Sequence, residues 1–472
     1  VLAATVLGSG IAFLDGSVVN VALPAISRDL HASIAGLQWI VNAYLVTLSA
    51  LLLLGGSLGD RFGRRTVFVA GLVGFTGASV ACGLAPSLGL LIAARAVQGV
   101  GAALLVPGSL SIIAASFHDE DRGKAIGTWS GLAGVAGSIG PFLGGWLIDA
   151  VSWRLIFLIN VPLAAVAIAI AVRHVPDTRA HDHAPLDVAG SLLVTPALAL
   201  LSYGAIERSS VAAAVGAVGL VAFVAVESRA DHAMLPLSVF RSRQFTGANL
   251  TTLAVYAGLS GALFLLVLRL QAGLGYSALE AGAATVPFTI LMLLLSPAAG
   301  ALGQRVGARI PMTLGPLTAG AGILLLSGVG PGDRYSSAVL PGVVVFGLGM
   351  ALTVAPLTAA VLAGVDEERT GVASGVNNAV ARLAGMLAVA ALPALAGIAA
   401  DDSMAASLDA GFAPALRIAA AVTASGALAA AVFVRRTART RPTAHPSVYT
   451  ACHDPCVAGA PNGQRRRVPG GV

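Results

Sequence analysis

"LVTLSALLLLGGSLGDRFGRRT", residues 45–66, holds an apolar run that stops at a loop of glycines, one aspartate and three arginines. The run does not alternate apolar with polar residues, as the strands of a closed membrane barrel must. Taken from Leu37 onward it is long enough to cross about 30 Å of hydrocarbon as a helix. Helices and closed barrels are the two ways to satisfy backbone groups in lipid, so the pattern predicts a helix. Comparable runs recur from end to end, and they predict fourteen spans: 2–26, 37–58, 66–85, 88–116, 125–150, 153–173, 187–206, 211–227, 245–268, 279–302, 311–330, 338–362, 373–398 and 413–434. Composition agrees: 57% of residues are hydrophobic and 11% charged, where a soluble domain carries about 25% charged. The chain reads as an all-α polytopic membrane protein.

The loop that closes the opening stretch has a second copy. "GSLGDRFGRRT" (56–66) aligns without gaps on "GALGQRVGARI" (300–310), an offset of 244 residues. Two spans later "DEDR" (119–122) is matched by "DEER" (366–369), an offset of 247. Two matches at nearly one offset imply two similar halves, a construction in which transporters place their substrate site between the halves. The expected organisation is a six-helix bundle over 1–173, two inserted helices over 187–227, a second bundle over 245–434 and a basic tail over 435–472. The loop itself suits a gate. Gly56, Gly59 and Gly63 let helix ends approach and turn, Asp60 is expected at a helix N-terminus facing the positive dipole end, and Arg61, Arg64 and Arg65 are free to pair with carboxylates or anionic lipid.

Basic residues set the expected orientation. With the N-terminus in the cytoplasm, 20 of the 28 Lys and Arg fall in cytoplasmic loops or in the tail, and both termini are cytoplasmic. The net charge of +6 is then topological, and nucleic-acid binding is not called for. Val1 in place of Met implies that a short piece precedes it, and the first span is too long for a cleavable signal. His445, Cys452, His453 and Cys456 lie in a tail whose Pro, Gly and Arg content reads as disorder rather than as a metal site. The excess of Arg over Lys and the abundance of Ala suggest a GC-rich bacterial genome, by association only.

With these elements in place a resemblance is plain. "GSLGDRFGRR" (56–65), "LDGSVVNVALPAI" (14–26), "RAVQGVGAALLVPGSLSII" (95–113), "GSIGPFLGGWLID" (137–149) and "WRLIFLINVP" (153–162) resemble, in order, motifs of the major facilitator superfamily and of its fourteen-helix drug/proton antiporters. The likeness covers residues 1–434. It implies the major facilitator fold, and it implies export of small amphipathic organic compounds driven by the proton gradient, with no bound cofactor. Two positions depart from the pattern: Gln304 replaces the acid in the second loop copy, and Arg269 stands near the end of the ninth span.

Charges inside the spans carry the rest. An ionisable group in a membrane helix costs about 2.5–3.5 kcal/mol on insertion scales, and it usually marks a pathway or a partner. By helical rise, Asp15 lies ~15 Å and Arg95 ~10 Å below the outer ends of their spans. These depths agree to within about one helical turn, so geometry allows a contact between them, direct or through Gln98, without requiring it. Burial favours a neutral acid and a facing guanidinium favours the carboxylate, so an aspartate that exchanges its arginine for another neighbour can take up a proton. Arginine keeps its proton throughout. Asp15, Arg95 and Gln98 are the expected proton-coupling set. In the span 125–150, Gly137, Gly140, Gly144 and Gly145 give small-residue faces for close packing, and Pro141 removes a backbone hydrogen bond. The resemblance makes this the antiporter motif, at the interface between halves. Expected substrate-cavity residues are Asn20, Asn42, Trp129, Asn160, Asn249, Tyr256, Asn377, Asn378 and Arg382, the last without an obvious acidic partner. Ser277 and Glu280 have the spacing of a capping box instead.

The spans hold no His, HExxH motif, paired Cys or GxxxxGK[ST] loop, so an enzyme or a directly ATP-driven pump is not indicated. A sensor would need an output domain, and outside the spans the tail is the longest piece. The runner-up is an importer or uniporter of a small metabolite. A cavity with few formal charges suggests amphipathic or cationic cargo. The expected setting is a bacterial cytoplasmic membrane, with the protein acting as a monomer.

Overall fold

The computed structural model describes residues 1–117, 119–179, 187–230, 235–366, 369–398 and 404–435. The expected metal-free basic tail from residue 436 onward lies outside the described residues, as do Glu367 and Glu368 of the second acidic loop. Among the described residues there are fourteen helices long and apolar enough to span a membrane, and no strand. They are α1 (Leu2–Leu30), α2 (Ile34–Phe62), α3 (Arg64–Gly83), α4 (Leu88–Ser116), α5 (Lys124–Ala150), α6 (Leu155–His174), α7 (Val188–Ile206), α8 (Ser210–Glu227), α9 (Arg243–Gly273), α10 (Ala278–Val306), α11 (Arg309–Leu326), α12 (Tyr335–Leu362), α13 (Thr370–Leu395) and α14 (Leu408–Phe433).

The packing repeats as the loops do. In the first half α1 packs on α5, α2 and α3 on α4, and α6 on α1 and α3. In the second half α9 packs on α13, α10 and α11 on α12, and α14 on α9 and α11. The two bundles meet where α2 lies on α13 and α5 on α10, partners that exchange under the same repeat. The inserted helices α7 and α8 pair with each other, and α7 lies across the α2–α13 seam. The result is the major facilitator architecture with two extra helices. α8 turns Val211, Val215, Val218 and Val221 outward, the composition lipid requires.

Both copies of the glycine loop fold alike. Gly63 has φ 110° and Gly307, its counterpart, φ 87°, a backbone region costly for residues with a Cβ. The expectation for Asp60 is corrected here. α2 continues past the predicted edge to Phe62, so Asp60 sits in its last turn rather than at a helix N-terminus. It accepts from Arg64 Nε at 2.9 Å and Nη2 at 2.8 Å. The N-terminus of α3 is capped by Asp177, beyond α6, which accepts from Arg65 N at 3.2 Å and from Thr66 Oγ1 at 2.7 Å. The Ser277–Glu280 capping box is present as the sequence indicates.

Candidate functional site

A carboxylate buried near the middle of α1 has to be matched by donors, because an unpaired charge in a low-dielectric interior is far too costly. The structure supplies them from α4 and α6, with α3 adding a hydroxyl to the network. Arg95 of α4 donates from Nη1 to Asp15 Oδ2 at 2.5 Å and to Gln98 Oε1 at 2.6 Å. Gln98 Nε2 in turn donates to Asp15 Oδ1 and to Ser79 Oγ of α3, both at 2.8 Å. Asn160 of α6 donates to Asp15 Oδ1 at 3.3 Å. The contact that the sequence left open is thus made in both forms, direct and through Gln98. Arg95 also donates from Nε to Ile40 O at 3.2 Å, and its guanidinium lies 4.3 Å from the Tyr44 ring centroid. Asp15 is 0% and Arg95 1% exposed, so the pair is screened by protein rather than water.

This network forms part of the wall of a cavity of about 350 Å³ between the halves. Arg95 and Tyr44 reach the cavity, and Asp15 lies behind them. Of the expected cavity residues, Asn20, Tyr256, Asn377, Asn378 and Arg382 line it. A second cavity of about 490 Å³ continues toward the end of the bundle that carries the α2–α3 loop, and Asn378 lines both. Asp60, Arg64, Gly56 and Trp129 line this outer stretch, with Trp129 donating to Ser9 Oγ at 3.1 Å. Arg61 is turned away, over the ring of Phe62.

Three expected cavity residues are elsewhere. Asn160 belongs to the Asp15 network. Asn249 is buried and accepts from Asn377 Nδ2 at 3.2 Å, so it positions a lining residue without lining the wall. Asn42 is fully buried outside both cavities. Arg269 is explained as well: it pairs with Asp409 of α14 and donates to Val329 O.

At the opposite end the halves are sealed. Gln38 Nε2 donates to Val389 O at 2.6 Å and Ala390 O at 3.0 Å, joining α2 to α13. Gln271 Nε2 donates to Val21 O at 2.9 Å, joining α9 to α1. Gly145 of α5 and Gly282 of α10 bring the two halves into close approach. A Cβ on Gly145 would stand 2.5 Å from Ala278 O, and one on Gly282 would stand 2.2 Å from Pro141 O. The expectation that this motif lies at the interface between halves is corrected for Gly137, Gly140 and Gly144, which face Phe13, Ser17 and Val18 of α1 within the first half. Sequence reasoning missed Asp149, at the end of α5: its carboxylate accepts from Ala278 N at 3.2 Å and Leu279 N at 2.8 Å, capping α10 across the interface. Its place just past the glycine run was the one available signal. Ser79 gave none, being one small hydroxyl among many.

Such an arrangement, a cleft between pseudo-symmetric halves open toward one end and sealed at the other, is also what known proteins suggest. The Major Facilitator Superfamily model matches residues 5–389 and 251–450, and the chain belongs to that superfamily. It is 35% identical to "Multidrug resistance protein Stp" of Mycobacterium tuberculosis over 388 residues, 80% of this chain and 72% of that protein. It is 36% identical to the "Probable actinorhodin transporter" of Streptomyces coelicolor, over 81% of this chain and 69% of the relative. With the "Tetracenomycin C resistance and export protein" of Streptomyces glaucescens it shares 33% identity, over 84% and 75%. Among solved structures, a crystal structure of a D-xylose–proton symporter superposes with a TM-score of 0.66 at 16% identity, covering 92% of this chain and 97% of that one. That likeness concerns the fold. The chain is a multi-pass membrane transporter of small molecules, not an enzyme.

Proposed function

From that membership, we propose that the protein exports small amphipathic organic compounds, antibiotics among them, in exchange for protons by alternating access. The observation that carries this reading is the Asp15 carboxylate, held by Arg95 and Gln98 in the wall of a cavity shared by both halves. In the state described, the carboxylate is fully engaged and the cleft opens toward the α2–α3 loop. With the N-terminus in the cytoplasm, the side favoured by the positive-inside rule, this state faces inward and awaits cargo. After release outside, protonation of Asp15 would loosen its hold on Arg95 and permit the return, the proton being delivered to the cytoplasm. The energy source is the proton gradient and no cofactor takes part. The protein acts as a monomer in the cytoplasmic membrane of a bacterium, with both termini inside and no role for nucleic acid.

The same parts can serve an importer or uniporter. Export is favoured by the relatives, whose names describe drug resistance and the export of antibiotics. The test is a resistance profile: a drug-sensitive bacterium carrying the intact gene is compared with one carrying Arg95→Ala at equal expression. Resistance to several amphipathic compounds that disappears in Arg95→Ala supports the reading. No change in sensitivity to any compound counts against it.

A further inference from the structure

Two guanidinium groups reach the central cavity, and they differ in one respect. Arg95 is neutralised by Asp15, donates from Nε and Nη1 to protein acceptors, and is almost fully buried. Arg382, projecting from α13 of the opposite half, is part-exposed to the cavity. Among the described residues no carboxylate or hydrogen-bond acceptor engages it, and its contact is with the face of the Phe13 ring, 5.2 Å from guanidinium carbon to ring centroid. A guanidinium carries five N–H donors in a rigid fork matched to carboxylates and related oxyanions. Stacking on an aromatic face offsets part of its charge and satisfies none of those donors.

The rest of the wall does not supply the missing charge. Among the described residues lining the cavity there is no Asp and no Glu; the polar ones beside the arginines are Asn, Ser and Tyr. With Arg95 cancelled by Asp15, the cavity carries a net positive charge at Arg382. Low-dielectric walls concentrate that field rather than dispersing it. The ring of Phe13 and the apolar side chains of Val41, Leu259 and Leu263 provide a surface for a flat or branched hydrocarbon body.

We propose that Arg382 is the cargo's charge-selecting residue, and that the preferred cargo is an amphipathic molecule bearing one anionic group, a carboxylate, sulfonate or phenolate, rather than an organic cation. The inference rests on the export reading and reverses the charge that sparse formal charge alone suggested. It also separates two tasks within one cavity: Arg95 serves the Asp15 carboxylate, and Arg382 serves the cargo. In the state described Asp15 is held by Arg95 and Gln98, which leaves Arg382 as the guanidinium open to the cargo.

The experiment compares two probes of similar size and opposite charge, naphthalene-1-sulfonate and 1-naphthylmethylammonium. Binding to the purified full chain in phosphatidylcholine nanodiscs is measured by calorimetry at pH 7. The sulfonate is expected to bind more tightly by about tenfold or more, the scale of one partly screened charge contact. Arg382→Gln should remove that preference and Arg382→Lys should restore part of it. Arg95-dependent drug resistance is scored separately, so loss of transport with retained sulfonate binding would defeat the export reading and leave this one standing. The proposal is overturned if the ammonium binds as tightly as the sulfonate, if neither probe binds, or if Arg382→Gln leaves sulfonate affinity unchanged.

Discussion

Arg95 and Asp15 meet at 2.5 Å in the interior of the first bundle, with Gln98, one turn further along α4, bridging the second carboxylate oxygen and the guanidinium. Removing one partner of a buried ion pair leaves an uncompensated charge, at about 3–5 kcal/mol. Asp15→Asn and Arg95→Gln are each expected to lower the thermal midpoint in detergent, and the double variant to be less destabilised than the sum of the two. Additive losses would mean that the two side chains do not depend on one another.

Gly145 and Gly282 are expected to be intolerant of a single methyl group, because the atoms it would meet belong to the backbone of the other half and cannot rotate away. Overpacking of this kind costs about 1–3 kcal/mol. Gly145→Ala and Gly282→Ala should spread α5 from α10 and impair transport. Gly134→Ala, on the same helix with nothing within 4 Å, should be harmless. Transport assays at matched expression decide it.

Asp149→Ala should open the sealed end more often. The substitution takes the acceptor from two backbone amides of α10, about 1 kcal/mol for a lost cap, and the contact spans the halves. In a background without Cys82, Cys452 and Cys456, a cysteine at Ser260 in the cavity wall should then react faster with an impermeant maleimide applied at that end. Asp149→Asn, which keeps an acceptor, should show a smaller rise.

Gly63→Ala is expected to destabilise by about 1–2 kcal/mol, since φ 110° is strained for alanine and the new Cβ would stand 2.6 Å from Asp177 Oδ1. Asp177→Ala should cost about 1 kcal/mol as a lost helix cap. Thermal unfolding of the two variants, alone and combined, measures how far the losses overlap.

How much of this was legible beforehand varied with the kind of signal. Asp15 and Arg95 could be placed at similar depths from sequence because helical rise fixes depth, but whether they touch depends on helix rotation, which the sequence leaves open. The loop repeat gave the two halves, and the structure returns it as matched helix contacts and as the shared positive φ of Gly63 and Gly307. Asn42, Asn160 and Asn249 could not be sorted from Asn20 and Asn377. Depth is readable along a helix, but its rotation is not when every face is apolar. Asp60 was misplaced because an apolar-run edge at residue 58 says nothing of a helix that continues through Gly59–Phe62 until Gly63 turns it. Asp149 and Asp177 act on helices distant in sequence, so only the folded chain reveals what they cap.

The exchange of cargo for protons through Asp15 is tested most directly in inverted membrane vesicles, with a compound drawn from the resistance profile and an imposed pH gradient. Asp15→Asn should retain gradient-independent counterflow of the compound and lose accumulation driven by the pH gradient. Accumulation by Asp15→Asn with undiminished dependence on that gradient would contradict the account.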